Sequence, residues 1–160
     1  MIVVSDTTPL SELAKAGLLN LLPDIYGSII IPQEVFDEVT TGVHPAAALV
    51  QSANWIEVRS VREAEKVVAL TRAFGLGLGE CAAMILAEEL GAGRILIDDL
   101  DARKVAQSRN LPVTGTVGTL LVAKQRGLIP NVKEALDALI AGGKRISQKL
   151  YQQALTSAGE

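Results

Sequence analysis

The chain has 160 residues, enough for one hydrophobic core and cramped for two. Apolar residues make up 49% and charged ones 21%, with a net charge of −3, so bulk attraction to nucleic acid is excluded and any such contact must come from a local patch. A single cysteine, Cys81, excludes an intrachain disulfide and argues against a cysteine-based zinc site.

The opening residues 2–5 form a short β-branched run, read as a first strand. Asp6-Thr7-Thr8-Pro9 follows, with Thr8 as the expected N-cap and Pro9 in the first turn of a helix that stops near Gly17. A second helical stretch, 18–26, ends at Gly27. Ile29-Ile30-Ile31 is the second strand, and Pro32 opens the helix PQEVFDEVTT, expected to stop at Gly42. GVHP reads as a turn, 46–53 as a short helix, 55–58 as the third strand and 61–74 as a helix. The segment GLGLGE leads into a very apolar helix, 81–90. The fourth strand is 94–97, followed by a helix over 101–109 and a short fifth strand, 112–114. Helices are expected at 116–125, 132–140 and 149–158. Strands alternate with helices from end to end, and the sparse aromatics (3%) leave Leu, Ile, Val and Ala to fill the core. That pattern predicts a three-layer α/β/α domain with a central parallel sheet of about five strands.

In a parallel sheet, functional groups collect beyond the carboxyl ends of the strands. Asp6 ends the first strand, and Asp98 and Asp99 end the fourth. Glu38 lies beside the Val35/Val39 face of its helix, and Glu80 stands at the start of the apolar helix. Singly, each has an ordinary structural reading: a turn residue, a strand end, a surface glutamate, an acid favoured by a helix dipole. Together, acids enter from four separate segments, three of them at strand or helix ends on the expected edge. Carboxylates placed together raise each other's pKa unless a cation neutralises them. An all-oxygen set with no His or Cys cluster points to Mg²⁺ or Mn²⁺, ions that support phosphodiester hydrolysis.

These stretches resemble the PIN-domain family, the nuclease fold of many toxin–antitoxin systems. VVSDTTPL resembles the family's opening motif, IPQEVFDEV the second, GLGECAAMILA the third, and LIDDLDARKVAQSRNLPV the fourth. The doubled DD, TGTVGTLLVAK and IAGGKRISQKLYQQAL are similar to a branch catalogued as a domain of unknown function. The resemblance covers nearly the whole chain. It implies one PIN-like domain over 1–160, with a C-terminal helical extension from about 131, and adjacent first and fourth strands at the centre of the sheet. It implies catalytic Asp6, Glu38, Glu80 and Asp99, and a metal held by Asp6, Glu80 and Asp99, with Asp98 as a further ligand or a supporting group. Thr7 and Thr8 would position water or phosphate. Two departures stand out: Glu80 fills a position where Asp is more usual, and Ile97 replaces a common Thr. The implied activity is metal-dependent cleavage of single-stranded RNA, as the toxin of a pair, with an antitoxin partner and a homodimer.

Rival readings are a haloacid-dehalogenase-like phosphatase, a phosphate-binding domain and a receiver-like module. The first lacks the second Asp two positions on, where Thr8 stands; the second lacks a Walker lysine; the third needs its acid pair after the first strand. The subtler rival is a PIN fold used as an interaction module with weak or no nuclease activity. For RNA contact, Arg103 and Lys104 leave the acidic edge on a first helical turn, with Arg59, Arg62 and Lys66, or Lys144 and Arg145, as further sets. His44 reads as a loop histidine and Cys81 as a small buried hydrophobe. An apolar stripe, Leu150, Tyr151, Ala154 and Leu155, fits packing on the domain or a dimer contact. No apolar run reaches membrane-span length, and MIVVSD lacks the features of a signal peptide, so a cytoplasmic setting is expected.

Overall fold

The computed structural model describes residues 1–41 and 43–160. In chain order the elements are β1 (Val3–Ser5), α1 (Thr7–Lys15), α2 (Leu21–Tyr26), β2 (Ile29–Pro32), α3 (Gln33–Thr40), α4 (Ala47–Ser52), β3 (Ile56–Arg59) and α5 (Ala64–Phe74). There follow α6 (Leu78–Leu90), β4 (Arg94–Leu96), α7 (Leu100–Ser108), β5 (Val113–Thr114), α8 (Thr116–Gln125), α9 (Val132–Ala141) and α10 (Gln148–Ser157). The five strands form one parallel sheet in the order β3-β2-β1-β4-β5, so β1 and β4 are neighbours at its centre.

Helices cover both faces, and the strands show why. Val3, Ile29, Ile31 and Leu96 join the core beneath α1, α2, α8 and α9, whereas Val4, Ile30, Ile95 and Ile97 join the core beneath α5, α6 and α7. Successive side chains of a strand point to opposite faces, so a sheet buried on both sides needs unbroken apolar runs. Ile29-Ile30-Ile31 and Ile95-Leu96-Ile97 are such runs, every residue buried. The result is the expected three-layer α/β/α arrangement. No helix among the described residues is long and apolar enough to cross a membrane.

Several boundaries differ from the sequence reading, the second helix starting at Leu21 and not at Leu18 among them, and three have identifiable reasons. The first helix begins at Thr7 with Asp6 at its N-cap, so Thr8 lies inside the first turn and does not cap it. α5 starts at Ala64, not at Val61, because the amides of Arg62 and Glu63 donate to the Glu89 carboxylate at 2.9 and 3.0 Å and hold that segment outside the helix. α6 starts at Leu78, absorbing part of the glycine-rich lead-in, because the Gly77 amide donates to Glu80 Oε1 at 3.1 Å and closes the first turn. The stop expected at Gly42, with the first residue of the GVHP turn, lies outside the described residues.

Candidate functional site

The register of β1 against β4 sets the site. Ser5 is level with Leu96, and the Asp6 amide continues the ladder by donating to the Leu96 carbonyl at 3.0 Å. Asp6 therefore leaves the sheet just before Asp98 and Asp99 do, on the adjacent strand. Its side chain is only 3% exposed. Burial pushes its pKa from 3.8 up to about 7; a hydrogen bond from the Thr7 backbone opposes this, and the nearby carboxylates of Glu80, Glu38 and Asp98 add to it.

Glu80 projects from the first turn of α6, whose residues from Cys81 to Ala87 are all buried. Glu80 Oε1 holds the Gly77 amide, while Oε2 is buried without a hydrogen-bond partner. Its pKa is raised by burial, against the bond from Gly77, and further by Asp99, Glu38 and Asp101. Glu38 reaches in from α3. Its Oε2 accepts from the Thr7 hydroxyl at 2.7 Å and its Oε1 from the Gly79 amide at 3.1 Å. That approach requires a glycine: a Cβ on Gly79 would lie 2.6 Å from Glu38 Oε1. Asp99 caps α7, accepting from the Ala102 amide at 2.9 Å through Oδ2.

Asp98 goes elsewhere. Its Oδ1 accepts from the Thr116 amide at 2.6 Å, and its Oδ2 from the Thr116 hydroxyl at 2.7 Å and from Lys144 Nζ at 3.0 Å. The Asp98 and Lys144 side chains are 11% and 14% exposed, so this ion pair is largely screened from water. Removing one partner leaves the other charge buried, and Lys144→Ala should cost about 3 kcal/mol in a urea denaturation measurement.

The structure thus brings Asp6, Glu38, Glu80 and Asp99 to one edge and gives Asp98 a separate set of partners. Thr7 is bound to Glu38, and Thr8 is exposed. Arg103 lies half-buried across Gly115 and donates to the Ile97 carbonyl at 3.3 Å; Lys104 is exposed. Of the other basic sets, Arg59 and Lys66 pair with Glu57 and Glu63. Among the described residues, no group of three or more His, Cys, Asp or Glu side chains forms a ready metal cage. Sequence reasoning missed the roles of Gly79 and Thr116, and it read Lys144 as an RNA contact where the structure pairs it with Asp98. For Gly79 a signal existed: a glycine beside an acid on a helix's first turn marks a place where something approaches the backbone.

A family model described as a PIN domain, DUF3368, matches residues 2–160. The chain belongs to the PIN-domain family. PIN domains are generally nucleases, and those nucleases typically use divalent metals. No curated protein and no solved structure matches this PIN domain.

Proposed function

We propose that this PIN domain is a metal-dependent endoribonuclease that hydrolyses phosphodiester bonds of single-stranded RNA. The observation that carries the reading is the pairing of a buried Asp6 carboxyl, raised to about 7, with a buried Glu80 oxygen that has no partner. Buried polar oxygens are normally satisfied, so this pair fits a cation-binding site. The donor set is all oxygen, which suits Mg²⁺ or Mn²⁺. Asp6, Glu80 and Asp99 would hold the ion. When bound, it would supply Lewis-acid activation of water and neutralise charge building on the phosphate.

The chain's own residues do the rest. Glu38 keeps the Thr7 hydroxyl and the start of α6 in fixed relation, which places Asp6 and Glu80 side by side. Asp98 ties the end of β4 to α8 and Lys144, and so anchors the turn that carries Asp99. We assign it this anchoring role because both its oxygens already accept hydrogen bonds. Arg103 and Lys104 would meet the phosphate backbone. The motif resemblance supports a toxin role, with an antitoxin whose basic segment would cover the acids, and a homodimer.

Titration calorimetry with Mn²⁺ and Mg²⁺ tests the reading. Wild type should bind, Asp99→Asn should lose binding, and Asp98→Asn should keep binding while unfolding at lower temperature. No binding by folded wild type at millimolar metal, together with no RNA cleavage, would leave an interaction module. That alternative draws on the absence of a ready cage among the described residues.

A further inference from the structure

A groove of about 630 Å³ opens where α7, the β5–α8 junction and the segment leading into α10 meet. Asp98 is among its lining residues, one position before Asp99 of the acidic edge. Its lining is two-sided. Arg103, Lys144 and Arg145 set three cations against the single carboxylate of Asp98, while Val117, Leu121 and Leu150 supply apolar surface. A local excess of positive charge on a chain of net charge −3 is the patch that an anionic strand would need. Arg145 is exposed and has no hydrogen bond or ion pair from its side chain among the described residues. Leu100 and Leu150, also on the lining, are 72% and 39% exposed.

We propose that this groove is a nucleotide subsite for the substrate strand, a short distance along the chain from the bond that is cut. Resting on the ribonuclease reading, the inference gives the enzyme a second point of hold on RNA. A phosphate lies against Arg145 and Arg103, and the adjoining base lies against the Val117–Leu121–Leu150 surface. Lys144 neutralises Asp98 and keeps that carboxylate from repelling the strand. The groove holds no aromatic residue to stack on, so contact with the base is by shape and apolar area and favours no particular base.

Steady-state cleavage by the full chain with Mn²⁺ tests this, on a 10-nucleotide single-stranded RNA and on a dinucleotide too short to reach the groove. Arg145→Ala and Leu150→Ser lie at exposed positions and should fold as wild type. Each should raise KM for the longer RNA, Arg145→Ala by about tenfold, with kcat and dinucleotide cleavage unchanged. Arg145→Ala should also lower the slope of log KM against log salt by about 0.7, the signature of one lost phosphate contact on a single strand. Unchanged KM and salt slope for both variants would overturn the subsite and leave the ribonuclease reading standing. A folded wild type that cleaves neither RNA would remove the ribonuclease reading and the subsite with it.

Discussion

Asp6→Asn should abolish metal-dependent cleavage and make the metal-free protein more stable. The folded protein holds the Asp6 proton more tightly than the unfolded chain does, because its pKa rises from 3.8 to about 7. Stability therefore falls as pH climbs from the unfolded value through the folded one, by roughly 4 kcal/mol over the whole interval. At pH 8 the wild type carries this entire penalty; near pH 4 it carries almost none. Asparagine keeps the shape and removes the charge, so the variant should melt roughly 8–16 °C above wild type at pH 8 and close to it at pH 4. Saturating Mn²⁺ should narrow the gap at pH 8 by stabilising wild type alone. Thermal unfolding at the two pH values, with and without metal, checks each part. A variant no more stable than wild type at pH 8 would mean that Asp6 is not buried as a strained carboxylate.

Gly79→Ala should separate activity from stability by a different route. The added methyl would sit 2.6 Å from Glu38 Oε1, so the carboxylate must shift. The shift disturbs its bonds from the Gly79 amide and the Thr7 hydroxyl, and with them its hold on the segment that carries Asp6. Misplacement of a catalytic group by an ångström is worth about 100-fold in rate, and a fall of that size in kcat is expected. Alanine is a better helix former than glycine by roughly 1 kcal/mol, which offsets much of the lost hydrogen bonding. The midpoint of urea unfolding should therefore shift little. A variant with wild-type kcat would show that the position of Glu38 does not matter to the chemistry.

The alternation of strands and helices was legible because each signal is local: apolar runs bounded by Gly, Pro and Asp. The acids at strand ends were legible for the same reason, since a parallel sheet fixes where its carboxyl edge lies. The partners of those acids were not. Glu38 meets the Gly79 amide across 41 positions of sequence, and Asp98 meets Lys144 across 46. Neither pairing names its partner locally, although Gly79 marks that something approaches its backbone. Asp98 and Asp99 are adjacent and chemically identical, yet one faces Thr116 and Lys144 while the other caps α7. Only the path of the chain after β4 separates their roles. The late start of α5 has a similar origin, because the Glu89 carboxylate that holds its lead-in belongs to α6.

α6 is packed on nearly every side, and it carries Glu80 on its first turn. Its central amides should exchange with deuterium only when the whole molecule opens, on the slowest timescale the protein has. The Asp99 side chain is exposed and held by a single bond from the Ala102 amide, so its rotation costs little. On the proposed function, a cation would meet a stationary wall on one side and a yielding one on the other. Capture and release would then proceed by rotation of the exposed Asp99 side chain on its anchored turn, while the α6 side would keep its geometry from one turnover to the next.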